Sequence, residues 1–251
     1  MGRLDYLKIA MTRRRFHAPP NAFTQQTVTL AADEARHLRD VLRLKPGDEV
    51  YVFDGLGHEF RSTVSNVRRD VAELRIEAEV EPAKPESHLQ LNLGVALLKG
   101  EKFDLVVQKA TELGVTKITP LITRYADIHL RDASDAAKRV TRWQRIAIEA
   151  SKQSGRAFVP EISLLVAFEN LEVEGNGVMF SERDGEAFAS LPATNSITAL
   201  VGSEGGWADE EIESARARGF HVVTLGGRIL RAETAAIAVT VLMQHRFGDM
   251  N

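Results

Sequence analysis

"LVGSEGGWADEE" (200–211) joins a short apolar run to an acidic segment through a loop that contains three glycines. Such a run, followed by a glycine turn and then by acidic residues, predicts a β-strand that passes through a loop into a helix. A second apolar run, "HVVTLGGR" (221–228), also ends in paired glycines. Glycine lets a ligand approach the backbone closely, and ligands of open α/β sheets bind beyond the carboxyl ends of strands. The two loops therefore predict one shared ligand site.

The rest of the chain predicts two domains. Residues 24–81 contain short alternating strands and turns, as in "EVYVFDGLG" and "VAELRIEAEV", which favour a small β-rich domain. The stretch "EVEPAKPES" (79–87) contains two prolines among charged residues and is typical of a linker. After it, short apolar runs alternate with helical stretches, a pattern that predicts an α/β domain with a mostly parallel sheet. We place the domains at 1–82 and 83–251.

Composition excludes several classes of protein. Of 251 residues, 44% are hydrophobic and 27% are charged, which is typical of a globular protein, and none is cysteine. Disulfides and thiolate zinc sites are therefore excluded, and the seven histidines lack the pairing of a metal site, so we expect no metal. No apolar run has the length of a membrane span, and the first residues do not resemble a signal peptide. We expect a cytoplasmic protein without membrane contact.

The net charge of −3 restricts nucleic-acid binding to a local basic patch. In "DEARHLRDVLRL" (33–44), arginines recur three and four residues apart beside a predicted buried face of Ala35, Leu38, Val41 and Leu42. The arginines in and upstream of this helix are Arg13, Arg14, Arg15, Arg36, Arg39 and Arg43. Charge spacing alone leaves two interpretations open: a solvated face paired with nearby aspartates, or a surface that contacts RNA.

The loops also limit the kind of ligand. Neither the phosphate-binding pattern G-x-x-x-x-G-K-[ST] nor the dinucleotide pattern G-x-G-x-x-G is present, and the Glu204 carboxylate would repel a phosphate. A neutral or cationic ligand with an aromatic ring is more compatible with the loops. Backbone groups would bind its edge, and four apolar side chains would cover its faces: Leu200, Leu225, Ile229 and Leu230.

The motifs "GSEGGW" and "LGGRILRAETAAIA" resemble the paired signature of the bacterial 16S rRNA (uracil(1498)-N(3))-methyltransferases, the RsmE family of the SPOUT superfamily. The resemblance extends through "RRFH", "HLRDVLRLKPGD", "FDGLG", "KATELGV", "ITPLIT" and "EASKQSGRAFVP", which stand in the order of that family. It covers nearly the whole chain from about Met11 onward. Residues 1–10 form an extension outside it, and we assign them no role.

The resemblance implies a small PUA-like β-barrel domain followed by a SPOUT-type, trefoil-knotted α/β domain with a parallel sheet. It also implies S-adenosylmethionine as cofactor, 16S rRNA of the small ribosomal subunit as partner, and a homodimer. Carried onto this sequence, the cofactor-binding residues are Leu200, Val201, Gly202, Glu204, Gly205, Gly206, Leu225, Gly226, Ile229 and Leu230. The same resemblance favours RNA contact for the arginines named above and adds Arg156 from "KQSGRAF".

The implied chemistry identifies two candidate catalytic residues. Uracil N3 must lose its proton to become nucleophilic, and a cation near the uracil oxygens would stabilise the resulting anion. Arg231, beside the second loop, suits that role or could hold a phosphate. Glu233 is either the proton acceptor or a carboxylate that stabilises the start of a helix.

Two positions depart from the family pattern. Ser203 stands where the family usually has proline, and Ala208 stands where it usually has a serine or threonine helix cap, which leaves Asp209 as a substitute cap. Other functions also remain open: a SPOUT enzyme that methylates ribose 2′-hydroxyls, a non-catalytic RNA-binding assembly factor, and a small-molecule enzyme that uses another adenine cofactor.

Overall fold

A computed structural model describes residues 13–126, 133–183 and 185–250. The chain divides into two compact units. The first contains the described residues up to Glu86 together with Ile148–Val159, and the second contains Ser87–Ala147 with the described residues from Pro160 onward. The sequence pattern did not indicate that Ile148–Val159 belongs with the first unit, because the segment begins within a long helix of uninterrupted periodicity.

The first unit is built on a five-stranded sheet. Its strands, in chain order, are β1 (Arg15–His17), β2 (Thr27–Leu30), β3 (Glu49–Phe53), β4 (Glu59–Val67) and β5 (Ala72–Val80). They lie in the order β1-β3-β4-β5-β2, with β1 parallel to β3 and the other neighbours antiparallel. Alternation along β3 buries Val50 and Val52 in the core of this unit, as period-2 patterning predicts.

A short helical segment follows β2. Helix α1 (Ala32–Arg36) continues as a π-helix over His37–Val41. The predicted buried face is correct for Ala35 and Leu38, both fully buried, and wrong for Val41 and Leu42, which are 66% and 37% exposed. A π-helical turn contains more residues than an α-helical one, so the side chains beyond it rotate away from the face that α-helical spacing predicts.

The second unit is an α/β domain with eight strands. They are β6 (Gln90–Ala96), β7 (Lys117–Ile122), β8 (Glu161–Ile162), β9 (Val166–Ala167), β10 (Asn176–Phe180), β11 (Glu186–Ala187), β12 (Ser196–Val201) and β13 (His221–Thr224). Its sheet runs β11-β13-β10-β12-β6-β7-β8, β9 also pairs with β7, and all of these pairs are parallel. The parallel α/β sheet predicted from the sequence is therefore confirmed.

The described residues that follow β6 include four α-helices: α2 (Lys102–Glu112), α3 (Ala133–Ser154), α4 (Asp209–Ala217) and α5 (Ala232–Phe247). Helix α2 ends where predicted, because Gly114 has a φ of +89°, a conformation that favours glycine. Within the described ranges, no helix combines the length and the apolar character that a membrane crossing requires.

Strand order determines where the two glycine loops lie. β12 is the central strand between β10 and β6, and β13 pairs with β10 on the other side. Parallel strands present their carboxyl ends at one edge, so the loops that follow β10, β12 and β13 lie together there. Deep packing fixes β12: a Cβ added to Gly94 on β6 would lie 2.5 Å from Leu200 Cδ2. The sheet therefore holds the first loop on a closely packed strand.

Candidate functional site

A cavity of about 380 Å³ opens at this edge of the sheet. Its walls come from residues 180–182 after β10, 201–207 after β12 and 224–230 after β13, with Ala232, Ala235 and Val239 of α5. The volume lies within the range of pockets that bind small molecules. Both glycine loops line this one cavity, as the sequence predicted.

All of the predicted cofactor-binding residues except Leu200 line the cavity. Leu200 belongs to the core behind it, where its side chain is fully buried. The end of β12 that precedes the loop, residues 199–201, is apolar, so its pattern does not indicate where strand core ends and cavity wall begins. We therefore leave Leu200 out of the proposed cofactor contacts.

The first loop is a tight turn held by its neighbours. The Gly206 N–H donates to the Ser203 carbonyl at 3.0 Å, and Gly206 has a φ of +72°. The Ser203 hydroxyl donates to the Tyr125 carbonyl at 2.9 Å. The Trp207 side chain is 1% exposed, and its Nε1 donates to the Phe180 carbonyl at 2.9 Å. Serine at position 203 thus anchors the turn through a hydrogen bond that proline lacks.

Contacts within the protein account for the three glycines of this loop. A Cβ on Gly202 would lie 3.1 Å from Trp207 Nε1, and one on Gly205 would lie 2.9 Å from the Tyr125 Cβ. A Cβ on Gly206 would lie 2.6 Å from Glu182 Oε1. The interpretation that these glycines only bring backbone against a ligand is therefore incomplete, because the Tyr125 Cβ already restricts a side chain at Gly205 and the positive φ of Gly206 favours glycine there.

The second loop is more open. Gly226 and Gly227 have φ values of +73° and +80°, and a Cβ added to either would meet no atom within 4 Å. Three apolar side chains here are exposed to solvent: Leu225 at 37%, Leu230 at 39% and Ile229 at 89%. Apolar side chains that line a cavity and remain in contact with water favour a ligand with a substantial apolar surface.

Helix α4 begins without the predicted substitute cap. Ala208 is its N-cap residue and has no side-chain acceptor, so the Glu211 carboxylate accepts the Ala208 N–H at 2.9 Å. Glu211 also accepts the backbone N–H of Arg124 at 2.9 Å. Asp209 forms an ion pair with Arg183 at 2.6 Å instead of capping the helix. The reach-back carboxylate of a capping box therefore stabilises the helix start.

Two carboxylates line the cavity and differ in their partners. Glu204 forms an ion pair with Lys102. Glu182 is the second residue after β10, and its Oε1 is 4.0 Å from Arg183 Nε. Sequence reasoning did not select Glu182, although its position just past a strand end was a usable signal because such ends converge.

The predicted catalytic residues lie at the start of α5. Arg231 is the exposed N-cap residue, and its carbonyl accepts the Ala235 N–H at 2.8 Å. Glu233 lies in the first turn, and its Oε2 is buried without a hydrogen-bond partner among the described residues. Neither side chain lines the cavity, although Leu230 and Ala232 beside Arg231 do. The described acidic and histidine side chains form no group that could hold a metal ion.

The predicted RNA-binding arginines fall into two groups. Arg15 and Arg156 are buried, at 8% and 4% exposure, and their guanidinium groups bind the protein itself. Arg15 donates to Glu59 and to the carbonyls of residues 151, 152 and 156, and Arg156 pairs with Glu86 at 2.7 Å. As a correction to the sequence prediction, we leave both out of the proposed RNA contacts.

The Arg13 guanidinium also binds partners within the first unit. It pairs with Glu59 at 3.2 Å, donates to the Glu81 carbonyl at 3.0 Å and lies 4.6 Å from the centre of the Tyr51 ring. We therefore omit Arg13 as well.

The remaining arginines are accessible. Arg14 and Arg43 are exposed, and Arg43 has a φ of +53°. Arg36 pairs with Asp33 and, at 3.6 Å, with Asp70, while Arg39 pairs with Asp40 at 2.6 Å. Surface pairs of this kind contribute little stability and are screened by salt. These four arginines therefore retain the capacity to contact phosphate.

Two family models match the chain: an RNA methyltransferase domain over residues 85–244 and an RNA methyltransferase PUA domain over residues 30–77. A Ribosomal RNA small subunit methyltransferase E of Buchnera aphidicola is 31% identical over 231 residues, covering 90% of this chain and 93% of that protein. One of Synechocystis is 34% identical over 235 residues, covering 88% and 74%.

A solved structure is similar over the same extent. The crystal structure of a Ribosomal RNA small subunit methyltransferase E from Neisseria gonorrhoeae, bound to S-adenosyl methionine, has a TM-score of 0.86 and 34% identity to this chain. It covers 95% of this chain and 100% of its own. These matches confirm the predicted fold class in its main features, a PUA-like domain followed by a SPOUT-type α/β methyltransferase domain with a parallel sheet.

Proposed function

This chain belongs to the ribosomal RNA small subunit methyltransferase E family, and on that premise we propose that it methylates N3 of a specific uridine in 16S rRNA with S-adenosylmethionine. The observation that carries the proposal is the single cavity lined by both glycine loops. The solved relative from Neisseria gonorrhoeae is bound to the same cofactor.

The residues of the cavity fit this cofactor. Exposed Leu225, Ile229 and Leu230 offer apolar surface to an adenine ring, and Glu182 and Glu204 offer negative charge to a cationic ligand. The open space beyond Gly226 and Gly227 leaves their backbone accessible to polar edges of the ligand. The bound cofactor would supply a methyl group made electrophilic by its sulfonium charge.

The protein's task is then to present uracil N3 as an anion. N3 lies on the Watson–Crick edge, so the base must be unpaired or extruded before it reacts. As its N3 proton passes to solvent, negative charge develops on the neighbouring oxygens, and a fixed cation there lowers the barrier. We assign that cation to Arg231, which is exposed beside the cavity-lining Leu230.

We assign Glu233 a structural role at the start of α5. Its position in the first turn of α5 suits a carboxylate that interacts with the positive end of the helix dipole. That role accounts for the residue without a contact to substrate, and proton acceptance by Glu233 remains the alternative assignment.

We further propose a homodimer and a cytoplasmic location, since the implied substrate is the small ribosomal subunit. Helix α5 supports the dimer because its residues are apolar around much of its circumference. Besides its buried positions it carries half-buried Ile237, Ala238, Val241 and Leu242. A helix that is apolar on several sides is stable where those sides are covered.

RNA contact and turnover are tested together. Labelled methyl transfer to unmethylated small subunits is measured for the wild type and for the double variant Arg14→Ser/Arg43→Asn, since asparagine tolerates the positive φ at position 43. We expect a several-fold higher KM for the subunit and an unchanged cofactor Kd, because each lost phosphate contact weakens RNA binding. Each lost contact should also reduce the slope of log K against log salt concentration by about one.

The matched control is Arg75→Gln, which alters an exposed arginine paired with Glu77 in the same unit. If the double variant and the control have the same KM, the proposed RNA surface is wrong. Absence of transfer by the wild type, with RNA binding intact, would instead favour a non-catalytic RNA-binding protein.

A further inference from the structure

We propose that the Glu182 carboxylate accepts hydrogen bonds from the nucleoside cofactor in the cavity, an inference that rests on the proposed function. Glu182 is the second residue after β10 and lines the cavity that both glycine loops share. Its side chain is 44% exposed, so the carboxylate is within reach of a ligand that enters from solvent.

Glu182 has few partners among the described residues. Its one ion pair is with Arg183 Nε, at 4.0 Å, the outer limit for such a contact. The Arg183 guanidinium binds more closely elsewhere: it pairs with Asp209 at 2.6 Å and donates to the Trp207 carbonyl at 3.0 Å. The Glu182 oxygens therefore retain most of their capacity to accept hydrogen bonds.

Glu204, the other carboxylate of the cavity, is already engaged. Lys102 forms an ion pair with it, so much of its charge is compensated within the protein. Sequence reasoning assigned Glu204 to the cofactor, whereas the pairing makes Glu182 the stronger acceptor for a donor that arrives with a ligand.

The first glycine loop makes room for this carboxylate. A Cβ on Gly206 would lie only 2.6 Å from Glu182 Oε1, so glycine at that position lets the carboxylate lie against the turn. Gly206 and Glu182 both line the cavity. Gly206 thus both adopts the positive φ of the turn and leaves space for the Glu182 carboxylate.

A ligand in the cavity would displace water from Glu182. An ionised carboxylate that loses its water is costly unless new donors replace it. S-adenosylmethionine offers three kinds of donor, which are its ribose hydroxyls, its adenine amino group and its ammonium group, and its sulfonium adds a positive charge. A carboxylate that accepts from any of them would gain a charge-assisted hydrogen bond.

The test is calorimetric binding of three nucleosides to the full-length protein and its Glu182→Gln variant. S-adenosylmethionine carries both positive groups, S-adenosylhomocysteine lacks the sulfonium, and 5′-methylthioadenosine lacks both charges and keeps the ribose. We expect Glu182→Gln to weaken S-adenosylmethionine binding roughly tenfold or more, as for hydrogen bonds to a charged group. Glu210→Gln, on an exposed residue of α4, is the matched control and should change Kd less than about twofold.

The pattern across the nucleosides identifies the donor. An equal loss for all three supports a contact with the shared adenosine portion, through a ribose hydroxyl or the adenine amino group, and a loss that decreases from S-adenosylmethionine to 5′-methylthioadenosine supports a contact with the cationic end. Glu182→Asp keeps the charge on a shorter side chain, so partial recovery of cofactor affinity in that variant also supports the inference. If thermal unfolding shows that Glu182→Gln is misfolded, Glu182→Ala takes its place. Binding of all three nucleosides as in the Glu210→Gln control would overturn it, whereas failure of the wild type to bind any of them would refute the proposed function itself.

Discussion

Gly205→Val is expected to weaken S-adenosylmethionine binding roughly a hundredfold and to reduce methyl transfer accordingly. The new Cβ would lie 2.9 Å from the Tyr125 Cβ, closer than two carbon atoms approach without displacement. Overpacking of this kind costs about 1–3 kcal/mol. If the loop must shift to relieve the clash, the upper end of this range corresponds to a roughly hundredfold loss of cofactor affinity. Titration calorimetry with the purified variant measures the effect.

A second variant tests the cause of that loss. Tyr125→Gly removes the Cβ that the valine would meet, so Gly205→Val/Tyr125→Gly should regain part of the affinity, while Tyr125→Gly alone should bind nearly as the wild type does. Thermal unfolding of each variant shows whether the fold is retained. Wild-type affinity in the Gly205→Val single variant would contradict the account of this loop.

Arg231→Ala is expected to lower kcat by roughly 10²–10³, the usual effect of removing one group that stabilises developing negative charge. Cofactor affinity should stay within about threefold, because Arg231 does not line the cavity. Arg231→Lys should recover part of the rate, since it retains a positive charge at the same position. Single-turnover transfer to small subunits separates this effect from product release.

Arg228→Ala is the matched control for Arg231→Ala. Arg228 is exposed on the same loop and lines the cavity, yet it has no assigned part in stabilising the uracil anion. We expect its kcat to stay within about tenfold of the wild type. If Arg231→Ala raised the KM for the subunit and left kcat unchanged, Arg231 would be a phosphate contact and not the group that stabilises the anion.

Much of the α/β unit could be predicted because its strands have a strong local signal. β6, β10 and β12 are largely apolar, and the glycines after β12 and β13 mark strand ends at which ligands bind. Two-residue strands such as β8 and β11 have no comparable signal, since their pairing depends on neighbours distant in the chain.

The sequence could not predict which charged side chains are paired within the protein, because their partners are brought together only by folding. Spacing makes Arg15 look like Arg14, but the fold gives Arg15 a carboxylate and three carbonyls as acceptors and leaves Arg14 exposed. Glu182 and Glu204 are similar in sequence terms, and only the structure shows that Lys102 pairs with one of them. The π-helical turn after α1 likewise changed which side chains are buried.

The most direct test of the central claim is the position of the methyl group in the product. Unmethylated small subunits are incubated with the wild-type protein and labelled S-adenosylmethionine, and the RNA is then digested with nuclease and analysed by mass spectrometry. We expect N3-methyluridine at one site, in strongly reduced amount with Gly205→Val. A ribose 2′-O-methyl nucleoside, or cofactor binding without any methylated product, would contradict the proposed function.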